Sequence, residues 1–191
     1  KTYLNYEGSI RLNGIELSRI PRKALIQLIA MMPQDVFLFN ESLGYNISLN
    51  RDGVDDTAIR QAAAYVYADQ FIDQLPEKMD YLITEHGSNL SAGQGQLISF
   101  ARSVAGNSEL ILLDEATSSV DSITENYIQK AIENIFESKT VIAIAHRLST
   151  IQNSDLILVM KDGKIVEQGS HQSLVKQKGY YVQLLHKIQE D

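Results

Sequence analysis

No cysteine occurs among the 191 residues, which excludes a disulfide framework and a thiolate zinc site. No uninterrupted apolar run approaches the roughly 20 residues that a helix needs to cross a bilayer, so any service to a membrane is expected from outside it. The first residues, Lys1-Thr2-Tyr3, lack the basic-then-apolar pattern of a secretory leader. There is no internal repeat and no low-complexity tract. Positive charge is in deficit: 17 Lys and Arg stand against 24 Asp and Glu, and the net charge of −7 argues against a nucleic-acid surface. What is left is a chain that is 44% hydrophobic, enough for one domain with a real core.

The chain is organised around residues 109–146. Residues 110–113 form a short apolar run that stops at two adjacent carboxylates, Asp114 and Glu115. Residues 140–145 form a second run that stops at His146, and a helical segment over 122–136 separates the two. Such a pattern predicts a βαβ unit in a parallel sheet covered on both faces. Ligands bind at the carboxyl ends of strands in open sheets of this kind. Asp114, Glu115 and His146 are therefore expected at one edge, where adjacent carboxylates suit a metal site beside a general base. A helix cap explains one carboxylate but not the polar residues that end the other strands.

Upstream, residues 8–14 alternate and end in Asn13-Gly14, which predicts an exposed hairpin. Pro21 is expected to open a helix from Arg22 to about Gln27. A third apolar run, 28–32, ends at Pro33-Gln34-Asp35, which puts Gln34 in a position equivalent to Asp114 and His146. Residues 36–39 read as a packed loop and 41–48 as a short helix. Asp55 or Asp56 is expected to cap a helix running to about Gln74, with Ala58, Ile59, Ala62, Ala63, Val66 and Tyr67 at helical spacing. A loop over 76–89 leads to Leu90-Ser91-Ala92-Gly93-Gln94, which opens a helix through about Val104. Ser91 and Gln94 have capping-box spacing. The same helix start also reads as an anion site, with Gly93 admitting a close ligand approach. Residues 156–167 predict a closing strand pair and 171–188 two terminal helices, with Gly179 between them. His86, His171 and His186 read as surface or packing residues.

These segments, in this order, resemble the nucleotide-binding domain of an ABC transporter. Residues 90–94 resemble the LSGGQ signature, and residues 110–114 are similar to a Walker B strand followed by Glu115 at the place of the catalytic glutamate. Ser119-Val120-Asp121 resembles the D-loop, His146 the switch histidine and Gln34 the Q-loop glutamine. Each motif is weak alone; five in family order carry the resemblance. Residues 84–89, 39–47 and 167–181 resemble exporter-type members.

The resemblance implies an α/β fold: a P-loop NTPase-like parallel core sheet, a helical sub-domain over about 50–105, and a small antiparallel part, all within one domain spanning 1–191. It implies ATP and Mg²⁺, with Asp114 and Gln34 toward the metal and Glu115, His146 and Gln34 in catalysis. Ser91, Ala92, Gly93, Gln94 and Asp121 are implied in nucleotide binding across a head-to-tail pair of such domains. The implied partners are that second nucleotide-binding domain and the coupling helices of a transmembrane domain, at the cytoplasmic face of a membrane, with no nucleic acid.

The sequence departs from the family in one large respect: no G-x-x-x-x-G-K-[ST] phosphate loop occurs in it. The expectation is of a chain beginning after that loop and its helix, inactive alone. Ala92 stands where glycine is usual, and Gly95 where arginine is common. Two other readings stand beside this one. The first is a non-hydrolysing module that dimerises or docks on membrane helices. The second is a chromosome-type ATPase, disfavoured because no coiled coil separates Gln34 from the signature.

Overall fold

The computed structural model describes residues 6–106, 108–114, 120–144 and 148–190, with the backbone alone at 148–149 and 188–190. Strands β1 (Arg11–Leu12) and β2 (Ile15–Glu16) pair antiparallel around Asn13-Gly14. Both turn residues have positive φ (50° and 79°), the conformation that a two-residue hairpin demands and that Asn-Gly supplies. Helix α1 (Arg22–Leu28) follows Pro21 and feeds β3 (Ile29–Met32). Ser42 caps α2 (Leu43–Ser48) by accepting the Tyr45 N–H.

Asp55 caps α3 (Asp56–Tyr65), but the helix does not run to Gln74. It ends at Tyr65, and α4 (Asp69–Ile72) restarts after a break. Tyr67 adopts φ 60°, its N–H donates to the Ala64 carbonyl, and the Ala68 N–H reaches back to Ala63. That pairing is a Schellman stop, in which a left-handed residue closes the last turn. The apolar positions beyond it, Val66 and Ile72, stay buried, so the periodicity survives a change in direction.

Helix α5 (Ala92–Val104) starts at the Ser91–Gln94 capping box, and its inward face sets Leu97, Ile98 and Ala101 in the core. Strand β4 (Leu110–Asp114), helix α6 (Ser122–Ser138) and strand β5 (Thr140–Ile144) make the expected βαβ unit. Helix α7 (Leu148–Gln152) is followed by the hairpin of β6 (Ile157–Lys161) and β7 (Lys164–Gly169), then by α8 (His171–Gln177) and α9 (Tyr180–Glu190).

The central sheet is parallel in the order β3-β4-β5, with Met32 opposite Leu113 and Asp114 opposite Ile144. One face, with Met32, Ile111 and Leu113, is buried in a core shared with residues of α5 and α6 such as Phe100, Ile128 and Ile135. The other face differs from the expectation of cover on both sides. Met31, Ile142 and Ile144 alternate with the buried positions and are 62%, 61% and 61% exposed. Strands that are apolar on both faces thus leave these three side chains exposed on one. A second small core gathers Val159, Leu174, Tyr181 and Leu185 where β6, α8 and α9 meet.

Candidate nucleotide-facing site

The parallel register fixes the edge on which the site is built. Met32 and Leu113 are paired, so Gln34 and Asp114 follow the ends of adjacent strands at the same side of the sheet. Asp114 closes β4 opposite Ile144 and shares the open face with Leu112. Glu115, Ser119 and His146 lie outside the described residues.

The start of α5 is built from its cap. The Ser91 hydroxyl accepts the Gln94 N–H at 3.2 Å, and the Gln94 side chain accepts the Ser91 N–H at 3.0 Å. The helix takes up the Gly95 N–H through the Ser91 carbonyl. Ser91 and Ala92 stay exposed. Gly93 does not. It is buried, and a β-carbon there would stand 2.6 Å from Val120 Cγ1, so its smallness permits close packing. Gln94, engaged in the cap, is half-buried.

Asp121 caps α6, accepting the Ile123 N–H at 3.2 Å and the Thr124 N–H at 3.0 Å. Its carboxyl is held below the ordinary aspartate range, chiefly by the Thr124 backbone N–H, then by the Thr124 hydroxyl. Asp121 and Gly93 are thus tied to one helix start from two sides.

A cleft of about 240 Å³ lies in front of these elements, and Gln34, Asp35, His86, Ser91, Gln96 and Val120 are among its walls. It joins Gln34 to Ser91 and Ala92, three residues singled out in the sequence. Among the described residues no cluster of three His, Cys, Asp or Glu forms an all-protein metal cage. At the neighbouring strand ends Asp114 and the Gln34 amide offer hard oxygen donors of the kind that Mg²⁺ takes together with water and phosphate oxygens.

The loop beside the cleft differs from a packed loop. Leu38 is buried, but Phe37 on one side of it is 52% exposed and Phe39 38%. Their rings meet edge to face at 5.0 Å, and Phe37 lies 5.3 Å from the His86 ring. The facing turn, Glu85–Gly87, has three consecutive positive φ values and is pinned by the His86 N–H to Asn40 Oδ1 at 2.8 Å. Exposed Leu82 lies on the same segment. Sequence apolarity alone does not distinguish this exposed aromatic pair from a core segment.

Comparison with known proteins follows the same lines. The family model described as "ABC transporter" matches residues 1–118. The ATP-dependent lipid A-core flippase of Desulfotalea psychrophila (strain LSv54 / DSM 12343) is 43% identical over 183 residues, covering 96% of this chain and 32% of the flippase. An ABC transporter ATP-binding protein of Bacillus subtilis (strain 168), YfiC, is 41% identical over 178 residues, 93% of this chain and 30% of that protein. The structure of a bacterial Atm1-family ABC exporter with ATP bound superposes with a TM-score of 0.86 at 37% identity, covering 95% of this chain and 32% of the exporter. The chain spans about a third of the length of the relatives it matches.

Proposed function

The chain belongs to the ABC transporter family, and from that premise we propose that it is the ATP-binding and hydrolysing part of an exporter-type transporter, acting as a head-to-tail pair. The observation that carries this reading is the cleft that joins Gln34, at a strand end, to Ser91 and Ala92 at a helix start.

In this reading Glu115 is the general base that takes the proton of the attacking water. Gln34 orients that water, and His146 donates a hydrogen bond to the γ-phosphate. Asp114 and Gln34 hold Mg²⁺, which when bound neutralises charge developing on the phosphate oxygens. Ser91 and the helix start at Ala92–Gln94 face the γ-phosphate of the other domain's ATP, where first-turn N–H groups and the helix dipole favour an anion. Gly93 then contributes backbone rather than open space, and Asp121 ties the two sites through the start of α6. None of these residues is assigned to the β/γ-phosphates, since the sequence holds no phosphate loop.

The exposed pair Phe37 and Phe39, with Leu82, is the surface that meets the coupling helices of a transmembrane domain at the cytoplasmic face. No helix among the described residues is long and apolar enough to cross a membrane. A second reading is a non-hydrolysing module of such a transporter.

Two measurements separate these readings. In the full-length protein, Glu115→Gln is expected to keep ATP binding and to lower phosphate release by about a hundredfold or more. Hydrolysis at the parent rate in that variant would remove Glu115 from its role, and absence of hydrolysis in the parent would favour the module. The 191-residue chain titrated with Mg-ATP in a calorimeter is expected to show no binding. Clear binding would mean that another segment supplies the phosphate site.

A further inference from the structure

Near the far end of α5, Arg102 reaches into the loop that carries the exposed aromatics. Its Nη1 donates to the Phe37 carbonyl at 2.9 Å, its Nε to the Asn46 carbonyl at 2.7 Å, and its Nη2 to Asn46 Oδ1 at 3.2 Å. Asn46 is fully buried. Its Oδ1 accepts the Phe39 N–H at 2.8 Å, and its Nδ2 donates to the carbonyls of Phe39 and Ser42, each at 3.0 Å. The backbone on both sides of Leu38 is therefore held, Phe37 by Arg102 and Phe39 by Asn46, and the two holders are bonded to each other.

A second guanidinium stands alongside. Arg51 donates to the carbonyls of Ile47, Ser48 and Arg102. Neither arginine meets a carboxylate among the described residues. Burial lowers the pKa of both, and the Arg51 charge adds to the effect on Arg102. Two half-buried like charges without a counter-ion are costly unless carbonyl dipoles compensate them. The carbonyls of Asn46, Ile47 and Ser48 are the last of α2, the negative end of that helix. Capping α2 accounts for those contacts. It does not account for the bond to Phe37, which lies in no helix.

We infer that Arg102 is a positioning residue that carries displacement of the signature helix to the Phe37–Phe39 surface. The inference rests on the proposed function. Ser91 and Arg102 sit at opposite ends of α5, about 17 Å apart along a rigid helix. A shift of α5 when ATP engages Ser91 moves the guanidinium and, through it, the backbone at Phe37. The path needs no side chain of the cleft beyond Ser91.

The test is amide hydrogen exchange of residues 36–41 in the full-length protein, with and without Mg-ATP, in the parent, in Arg102→Lys and Arg102→Gln, and in Tyr65→Phe as a remote destabilised control. Exchange in the parent is expected to change on adding Mg-ATP. In the Arg102 variants that response falls by about half or more, while kcat and KM for ATP stay within about threefold of the parent. Tyr65→Phe keeps the response. A parent loop that ignores Mg-ATP while the protein hydrolyses it overturns the inference, even if neither Arg102 variant folds. An undiminished response in Arg102→Lys overturns it as well, and so does loss of hydrolysis in step with the response, since that is how a merely structural residue behaves. A parent without any hydrolysis overturns the functional reading and the inference with it.

Discussion

Gly93 lies directly against Thr124: a β-carbon at position 93 would stand 2.5 Å from Thr124 Cγ2. Helix α5 can therefore approach the start of α6 only with glycine there. Gly93→Ala gains about 1 kcal/mol of helix propensity, but it forces overpacking that costs about 1–3 kcal/mol. We expect net destabilisation, read as a lower urea midpoint at unchanged slope. Thr124→Ser removes the nearer obstacle and is expected to restore part of the loss. Only part returns, because Val120 Cγ1 remains at 2.6 Å. An alanine variant as stable as the parent would show that this contact relaxes freely.

Two residues along the same helix the prediction reverses. A β-carbon at Gly95 would meet Leu38 Cδ1 at 3.7 Å and Val36 Cγ1 at 3.9 Å, ordinary van der Waals contacts. Gly95→Ala is therefore expected to stabilise by about 0.5–1 kcal/mol, from helix propensity and reduced freedom of the unfolded chain. Thermal unfolding of the pair Gly93→Ala and Gly95→Ala should move in opposite directions. The same sign for both would mean that the spacing of α5 from its neighbours is not what separates these glycines.

The contrast shows what a sequence carries and what it does not. Local chemistry was legible: Asn13-Gly14 announced a hairpin, and Ser91 with Gln94 announced a helix start. The apolar runs gave β4, α6 and β5, and a parallel order that brings Gln34 and Asp114 to one edge. The stop of α3 was not legible, because its left-handed residue is Tyr67 where glycine is the usual signal. The crowding of Gly93 and the grip of Arg102 on Phe37 depend on residues far off in the chain, 65 apart in the second case. No local pattern encodes such contacts. The open sheet face has the same origin: a continuous apolar run states what a strand can bury, not what is present to bury it.

Asp121 gives a pH dependence of known sign. Hydrogen bonds from Thr124 and Ile123 hold its folded pKa below the unfolded value of about 3.9. The deprotonated cap therefore stabilises the fold fully above that value, and its contribution is lost as pH falls through the folded pKa. Asp121→Asn keeps an acceptor for the two N–H groups without the titration. Urea unfolding at pH 6 and at pH 3 should show a smaller acid loss in the variant than in the parent. Equal losses would assign the acid sensitivity to other carboxylates.

Helices α3 and α6 are joined by a reciprocal pair in which each side chain bonds the other residue's backbone. The Tyr65 hydroxyl donates to the Asn134 carbonyl at 2.5 Å, and Asn134 Nδ2 donates to the Tyr65 carbonyl at 2.9 Å. The two bonds are not equivalent. The Asn134 carbonyl lies inside α6, four residues before its end, where the helix itself supplies a donor. The Tyr65 carbonyl closes α3, where carbonyls have no intrahelical partner. Tyr65→Phe removes this bond and a second one, at 2.6 Å, to the exposed Ser138 hydroxyl, which water can replace, and should therefore cost about 0.5–1.5 kcal/mol, the net value of one hydrogen bond. Asn134→Ala leaves a C-terminal carbonyl without its donor and should cost about 1–3 kcal/mol, less about 0.5 kcal/mol regained in helix propensity. Equilibrium unfolding of the two single variants decides it. Asn134→Ala as the milder change would mean that water replaces the lost amide at the end of α3, and that Tyr65 alone fixes the angle between the helices.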